Sequence, residues 1–391
     1  MRALPLEGLR VIELTHMIMG PAAGAVLADL GAEVVRVEPL GGDATRNLKG
    51  SGAGYFPMYN RGKKSICLDI KHPQGLATAR RLISTRDVLI ENFRPGTLDR
   101  LGLNYTSLSR ENPRLIYCSE KGFLEGPYQH RTALDEVAQM MSGLAYMTGP
   151  PGRPLRAGSS VIDVAGGMFS VIAILAALLE RQNSGKGQKL TSALYETSVY
   201  LVGQHMAQKA VTGQAAQPMP VRVSAWAIYD VFKTGDDEQV FLGVVSDGLW
   251  QKFCEVFDLK ALAADPRYKT NSQRVQARPD LLRQVSAVLA RYSKAELLAK
   301  LEHTGLPFAP IGKPEELFED PHLLAGGGLA PVVLPDGTAT RLPTLPIQMG
   351  ERRSGSSSML ARPGEHTVEV LEGAGFSQAE VEALAKQGVV G

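Results

Sequence analysis

The sequence predicts an α/β protein whose larger part is a parallel β-sheet with helices on both faces. Short apolar runs rich in β-branched residues alternate with amphipathic helical stretches through the first half of the chain. A segment rich in Gly, Pro, Gln and Ala at 212–220 then separates this half from a section of mixed strands and helices. The length of 391 residues is sufficient for two domains or more.

The first half contains five short apolar runs before its longest helical stretch. They predict strands at 9–15, 34–37, 65–69, 88–91 and 115–119. Helices are predicted between them at 21–30, which Gly31 ends, and at 74–84. The apolar stretch that begins at Asp163 predicts a helix to about Arg181, because Asn-Ser-Gly-Lys-Gly follows it. A strand at 189–194 and a helix at 195–208 complete this half.

The second half predicts a smaller α+β domain. A strand pair at 227–233 and 239–245 is joined by a Thr-Gly-Asp-Asp turn. Helices are predicted at 249–257, 279–292, 294–304 and 378–387. The predicted organisation is a large domain at 1–205, a linker at 206–224, a small domain at 225–330, and a linker with a C-terminal segment at 331–391.

Composition argues against several classes of partner. The 42 basic and 40 acidic residues give a net charge of +2, so no global field attracts nucleic acid or an anionic membrane. Cys67, Cys118 and Cys254 fit no metal spacing and no disulfide framework. The N-terminal sequence lacks an apolar signal core, and the longest uncharged run, 164–179, is shorter than the roughly 20 residues of a bilayer span. We expect a cytoplasmic protein without a metal site, and we expect that run to form a buried helix.

The motifs of three common enzyme classes are missing from the sequence. His16-Met-Ile-Met-Gly20-Pro21 follows the first predicted strand, where a dinucleotide-binding protein carries Gly-x-Gly-x-x-Gly. No Walker sequence and no Gly-x-Ser-x-Gly are present. A nicotinamide oxidoreductase, a P-loop nucleotidase and a hydrolase of the common serine type are therefore disfavoured.

Asp163 is the residue best placed for chemistry, because it precedes a long apolar helix. The helix dipole and backbone N–H groups would lower the pKa of its carboxyl and keep it ionised. An ionised carboxylate can attack a thioester. Gly166 and Gly167 would let a substrate carbonyl approach backbone N–H donors. The residues alone leave two alternatives open: Asp163 is an ordinary helix N-cap, and the glycines serve close helix packing.

The chain resembles the class III CoA-transferases, the group of formyl-CoA:oxalate transferase, carnitine CoA-transferase and the 2-methylacyl-CoA racemases. The resemblance is carried by an ordered series of motifs that covers nearly the whole chain. The series comprises 6–14, Gly20-Pro21, 29–38, 42–46, 60–66, 68–71, Glu91-Asn-Phe-Arg-Pro-Gly96, Leu101-Gly102, 121–123, Gln139 with Ser142-Gly143, 185–188, 305–307 and 364–367.

This resemblance implies a Rossmann-like large domain, a small domain, a C-terminal tail that returns to the large domain, and an interlocked homodimer. It implies that Asp163 is the nucleophile and passes through an aspartyl anhydride and an aspartyl-CoA thioester. Coenzyme A would then be a substrate, with no permanently bound cofactor. The matching motifs place the following residues at the CoA site: His16, Met17, Leu68, Lys71, Asn92, Phe93, Arg94 and Arg100. The alternative is that Lys71 and Arg100 are surface charges and that Leu68 and Phe93 belong to the core.

The chain departs from the family pattern at two places. Leu134 stands where the racemases carry a histidine, and His130 is nearby but does not align with that histidine. The tyrosine that formyl-CoA transferase has near this position is also missing. Because 1,1-proton transfer needs a second acid/base group, transfer is favoured over racemisation. The segment 219–226 lacks the glycine run that covers the formyl-CoA transferase site, which argues against formyl or oxalate specificity.

The same segment offers candidates for substrate specificity. Arg222 and Trp226 could contact an acyl or acceptor group, and an arginine suits the distal carboxylate of a dicarboxylic acid. An ordinary linker arginine is the alternative. We expect transfer between acids such as succinate and glutarate, with succinyl-CoA a candidate donor. The competing functions are a 2-methylacyl-CoA racemase or isomerase and a non-catalytic acyl-CoA-binding protein.

Overall fold

One parallel β-sheet forms the centre of the larger part of the molecule. The computed structural model describes residues 4–222, 224–353 and 359–391. The sheet strands are β1 (Arg10–Leu14), β2 (Glu33–Glu38), β3 (Lys64–Cys67), β4 (Val88–Glu91), β5 (Ile116–Lys121) and β6 (Lys189–Ala193). Their order is β3-β2-β1-β4-β5-β6, and every neighbouring pair is parallel. The predicted parallel sheet is therefore confirmed.

Helices connect and cover these strands. In the first part of the chain they are α1 (Met19–Asp29), α2 (Tyr55–Tyr59), α3 (Pro73–Ser84), α4 (Thr97–Arg100), α5 (Tyr105–Glu111), α6 (Asp135–Ser142), α7 (Leu144–Thr148), α8 (Val161–Ser184) and α9 (Leu194–Thr212). Helix α9 continues past its predicted end at Gln208. It ends at Gly213, which has a φ of 71° and forms the C-cap.

Helix α8 is a core helix with one exposed apolar face. It has 24 residues and is long and apolar enough to span a membrane by composition, but Gly166, Val171 and Ile174 are buried inside the unit. Ile172 and Leu179 are 59% and 65% exposed on the other face. The expectation that this apolar stretch is buried is correct for the first face and wrong for the second.

The chain divides into two compact units. The larger comprises Met1–Pro220 and Pro321–Gly391, and the smaller is Val221–Asp320. The last part of the larger unit contains α15 (Pro321–Ala325), β10 (Leu329–Val333), β11 (Ala339–Pro343), β12 (Gln348–Met349), β13 (Arg352–Arg353), α16 (Thr367–Gly373) and α17 (Gln378–Lys386). Leu371 and Leu384 share a core cluster with sheet residues, and Val390 bridges to Leu68. The C-terminal helices therefore pack on the β3 side of the sheet.

The smaller unit has its own core around Trp250, Phe253 and Tyr268. Its antiparallel sheet contains β7 (Ile228–Lys233), β8 (Gln239–Val244) and β9 (Phe308–Pro310), so the predicted strand pair is confirmed. Its helices are α10 (Asp247–Val256), α11 (Lys260–Ala264), α12 (Asn271–Gln276), α13 (Arg278–Leu289) and α14 (Lys294–Leu301). The predicted domain limits at 205, 224 and 330 stay predictions.

A buried network of charges fixes the C-terminal ends of β1 and β2. Arg36 donates to Glu13 Oε1 at 3.1 Å and to Asp43 Oδ2 at 2.5 Å. Lys63 donates to both oxygens of Glu13, at 2.8 and 3.0 Å, and to the carbonyl of Pro21. Burial lowers the pKa of Lys63 to about 8, although the negative charge of Glu13 acts to raise it. The network holds the start of α1 against the sheet edge.

Candidate active site

A cavity of about 610 Å³ lies at the C-terminal ends of β1, β4 and β5, and Asp163 is part of its lining. The residues after these strands contribute His16, Asn92 and Gly122, and the first turn of α8 contributes Asp163. Ligand sites of open parallel sheets form at this edge, because the loops that follow the strands converge there. The fold thus brings Asp163 to the place where such proteins bind their ligands.

Asp163 is the third residue of α8, and it does not cap the helix. The helix begins at Val161 after Ser160, whose side chain makes no capping bond. The carboxylate of Asp135, at the start of α6, accepts the backbone N–H groups of Ile162 at 2.8 Å and Asp163 at 3.1 Å. The N-cap interpretation of Asp163 is therefore wrong, because another residue satisfies the helix donors. The Asp163 carboxyl accepts no hydrogen bond from the described residues and remains available to a ligand.

The pKa of Asp163 is raised, and the expectation that the helix N-terminus lowers it is wrong. Burial and, to a smaller extent, the negative charge of Asp135 raise the pKa to about 7, while Arg156 opposes them. Desolvation in the cavity therefore outweighs the helix dipole. Near neutral pH the group is present as carboxylate and as carboxylic acid, so its nucleophilic form increases with pH through this range.

We expect Asp135→Asn to lower the pKa that controls the reaction. Removing the charge of Asp135 stabilises ionised Asp163, so the ascending limb of the pH–rate profile should move down by about one pH unit. The measurement is kcat/KM for the acyl-CoA against pH. Glu136→Gln is the matched control, since Glu136 is the exposed neighbour that also pairs with Arg156, at 2.8 Å. An unchanged limb in Asp135→Asn would show that Asp135 does not set this pKa.

Gly166 and Gly167 serve helix packing, and the expectation that they leave room for a substrate carbonyl is wrong. A Cβ atom on Gly166 would lie 2.7 Å from Cε of Met19. A Cβ atom on Gly167 would lie 2.7 Å from the Met19 carbonyl oxygen and 3.1 Å from the Ala23 nitrogen. Because the α1 backbone occupies this space, the glycines let the two helices touch.

Five of the residues predicted to bind CoA line the cavity: His16, Met17, Asn92, Phe93 and Arg94. The side chain of Asn92 holds the backbone of His16 at two points, accepting from its N–H at 3.0 Å and donating to its carbonyl at 2.8 Å. The next residue, Met17, has a φ of 63°, which is uncommon for a residue with a side chain. The loop after β1 is thus held in one conformation beside Asp163.

The chain matches a known protein family over most of its length. The family model for CoA-transferase family III matches residues 6–367. The chain belongs to CoA-transferase family III. It is therefore an enzyme, and it transfers CoA between acids, as the resemblance implied.

Relatives of this CoA-transferase align over nearly the full length of both chains. It is 38% identical to the succinate–glutarate CoA-transferase of Agrobacterium fabrum, over 95% of this chain and 96% of the relative. It is 33% identical to the succinyl-CoA:glutarate CoA-transferase of Mus musculus, over 99% and 90%. The crystal structure of a CAIB/BAIF family protein from Brucella suis has a TM-score of 0.82 at 33% identity and covers 95% of this chain and 100% of that chain.

The other three predicted CoA-binding residues of this CoA-transferase lie outside the cavity lining. Leu68 is 3% exposed and belongs to the core beneath the C-terminal residues. Lys71 and Arg100 are exposed, and Arg100 donates to Thr97 Oγ1 at 3.3 Å. The role of all eight residues in CoA binding stays a prediction.

Sequence reasoning missed several residues that surround Asp163. Tyr55, Glu120, Asp135 and Arg156 line the same cavity. Glu120 could have been found from its position as a charged residue directly after a predicted buried strand. Nothing in the sequence near Asp135 or Arg156 indicates their place in the cavity. Leu134 and His130 also line the cavity, and Leu134 is 59% exposed.

Proposed function

We propose that this CoA-transferase moves CoA from an acyl-CoA, with succinyl-CoA the favoured donor, to a small carboxylic or dicarboxylic acid through a covalent intermediate on Asp163. The observation that carries the proposal is the Asp163 carboxyl itself. It lies in the cavity lining without a hydrogen-bonding partner among the described residues, and its pKa is raised to about 7. A carboxylate that is poorly solvated and accessible is a competent nucleophile.

The proposed reaction has four steps that balance. Ionised Asp163 attacks the acyl carbon of the donor, forming an aspartyl–acyl anhydride and releasing CoA thiolate. The thiolate attacks the Asp163 carbonyl, which gives an aspartyl-CoA thioester and frees the donor acid. The acceptor carboxylate attacks this thioester, forming the second anhydride and releasing the thiolate again. The thiolate then takes the new acyl group, and Asp163 returns to its carboxylate form.

The proposed substrate class is supported by relatives. The relatives named above act, by their names, on succinate and glutarate. The roles predicted for Arg222 and Trp226 stay predictions, because neither residue is part of the described cavity lining and Val223 between them lies outside the described residues. Streptomyces avermitilis formyl-CoA:oxalate CoA-transferase is also 33% identical, but segment 219–226 lacks the glycine run of that kind of site.

We further propose a cytoplasmic homodimer that binds neither nucleic acid nor membrane. Met168, Ile172 and Leu179 on α8 and Tyr200 and Met206 on α9 expose large apolar surfaces. A second copy of the chain could bury such surfaces, since monomeric proteins rarely leave large contiguous apolar patches in water. Sedimentation equilibrium of the purified protein tests the dimer.

The test of this function is transfer between defined substrates. Purified enzyme is mixed with succinyl-CoA, acetyl-CoA or a 2-methylacyl-CoA and with mono- and dicarboxylic acids, and the new thioesters are identified by mass spectrometry. We expect succinyl-CoA with a C5 dicarboxylic acid to be the fastest pair. Deuterium uptake at the α-carbon without any new thioester would support an isomerase, and thioester binding without either reaction would support an acyl-CoA-binding protein.

A further inference from the structure

Glu120 is a buried carboxyl group in the cavity of Asp163 for which the proposed steps have no role. It stands near the end of β5, it is 2% exposed, and it belongs to the cavity lining. Neither of its oxygens has a hydrogen-bonding partner among the described residues. The hydroxyl of Ser170, on α8, donates to the carbonyl of Gly166 at 3.1 Å, although Ser170 is close enough to Glu120 to lower its pKa.

The surroundings of Glu120 favour its neutral form. Carboxyl groups face it from three elements, Glu13 on β1, Glu91 on β4 and Asp163 on α8. The two lysines nearby are engaged elsewhere, Lys63 by Glu13 and Lys121 by Glu91 at 2.7 Å. Burial and the negative charges of the neighbouring acids together raise the pKa of Glu120 to about 8, while Ser170 opposes them. At neutral pH Glu120 is therefore a carboxylic acid with one O–H to donate.

A buried polar group without a partner destabilises a protein, which makes its presence informative. The start of α1 covers Glu120, since a Cβ atom on Gly20 would lie 2.9 Å from its Oε2. Glu120 also belongs to the lining of the cavity, so a ligand bound there lies next to it and can supply the missing hydrogen-bond acceptor. A carboxylate is the strongest acceptor for such an O–H group.

We propose that Glu120 is a substrate-binding residue that donates a hydrogen bond to the carboxylate of the acid held beside Asp163. This inference rests on the proposed function, in which a free acid leaves and another enters at each turnover. A neutral donor lets an anion settle next to Asp163, where an ionised Glu120 would repel it. The proton stays on Glu120 throughout, so no step of the reaction changes.

The test compares two substitutions at one position. Glu120→Gln keeps a neutral donor of the same shape, and Glu120→Leu has a similar volume but no donor. We expect Glu120→Leu to raise the KM for the acceptor acid by about 10- to 100-fold, as for loss of a hydrogen bond to a charged group. Its thermal midpoint should equal or exceed that of the wild type, because an unpartnered buried carboxyl is removed. Glu120→Gln should keep the acceptor KM within about 3-fold of the wild-type value.

A pH series in the wild type and Glu120→Gln decides the matter even if Glu120→Leu does not fold. The wild-type acceptor KM should rise above about pH 8, when Glu120 loses its proton, and the rise should be absent in Glu120→Gln. The assignment would be overturned if the acceptor KM rose equally with pH in the wild type and in Glu120→Gln. It would also be overturned if Glu120→Leu had the same acceptor KM as the wild type. These results require an active wild type, so a wild type that transfers CoA to no acid overturns the proposed function itself.

Discussion

Asp163→Asn and Asp163→Ala are expected to abolish CoA transfer while the protein stays folded. Neither side chain can form the anhydride, and loss of a covalent nucleophile reduces turnover by on the order of 10⁴-fold or more. Thioester formation is measured by mass spectrometry for each variant. Glu180→Gln is the matched control, because Glu180 is an exposed acid at the other end of the same helix, and wild-type activity is expected. If Asp163→Asn kept a tenth of the wild-type activity, Asp163 could not be the nucleophile.

The same substitution has an expected effect on stability, with a defined sign. The pKa of Asp163 is about 7 in the folded protein, whereas an aspartic acid side chain in water has a pKa of 3.8. An acid whose pKa is raised by folding contributes its full stability below its pKa in the unfolded protein. This contribution is lost as the pH rises through its pKa in the folded protein. Asp163→Asn should therefore become more stable than the wild type between about pH 4 and pH 7 and stay so above. Thermal midpoints at pH 5 and pH 8 measure this difference.

Gly167→Ala is expected to destabilise the protein and to reduce its activity. The added methyl group would meet the backbone of α1 at Met19 and Ala23, which cannot move aside as a flexible side chain could. Overpacking of this kind costs about 1–3 kcal/mol. Because α8 carries Asp163, a shift of α8 away from α1 also displaces the nucleophile. Urea denaturation and the rate of CoA transfer measure the two effects.

Gly373→Ala is the matched control for this packing argument. Gly373 is exposed in α16, and a Cβ atom there would have no neighbour within 4 Å. Alanine in a helix is more stable than glycine by up to roughly 0.5–1 kcal/mol, so no loss of stability is expected. If Gly167→Ala were as stable as Gly373→Ala, the close contact between α1 and α8 would be contradicted.

The strands could be predicted because most of them contain short apolar runs, several rich in β-branched residues, and such a pattern is local. The run 88–91, for example, is β4 with the predicted bounds. The start of α8 could not be placed as well, because its donors are satisfied by Asp135, which is 28 residues away along the chain. A local rule therefore left the capping role of Asp163 open as an alternative. The sign of its pKa shift was wrong for a related reason, since desolvation depends on the packed surroundings.

The candidate site was predictable to the extent that its residues stand in motifs of the chain. Asp163, His16 and Asn92 were found in this way, and they line one cavity. Glu120 and Arg156 were not found, because their importance arises from what the fold places around them. Gly166 and Gly167 show a further limit of prediction from sequence. The sequence is compatible with either a ligand or a helix close to these glycines, and only the packing in the structure distinguishes the two.

Isotope transfer from the acceptor acid to Asp163 tests the central claim most directly. The enzyme is allowed to turn over with an acyl-CoA and an acceptor labelled with ¹⁸O in its carboxylate, and the peptide that contains Asp163 is then weighed and fragmented. The second anhydride leaves one acceptor oxygen on Asp163, so we predict ¹⁸O in that side chain. Full turnover without label at Asp163 would contradict the covalent mechanism.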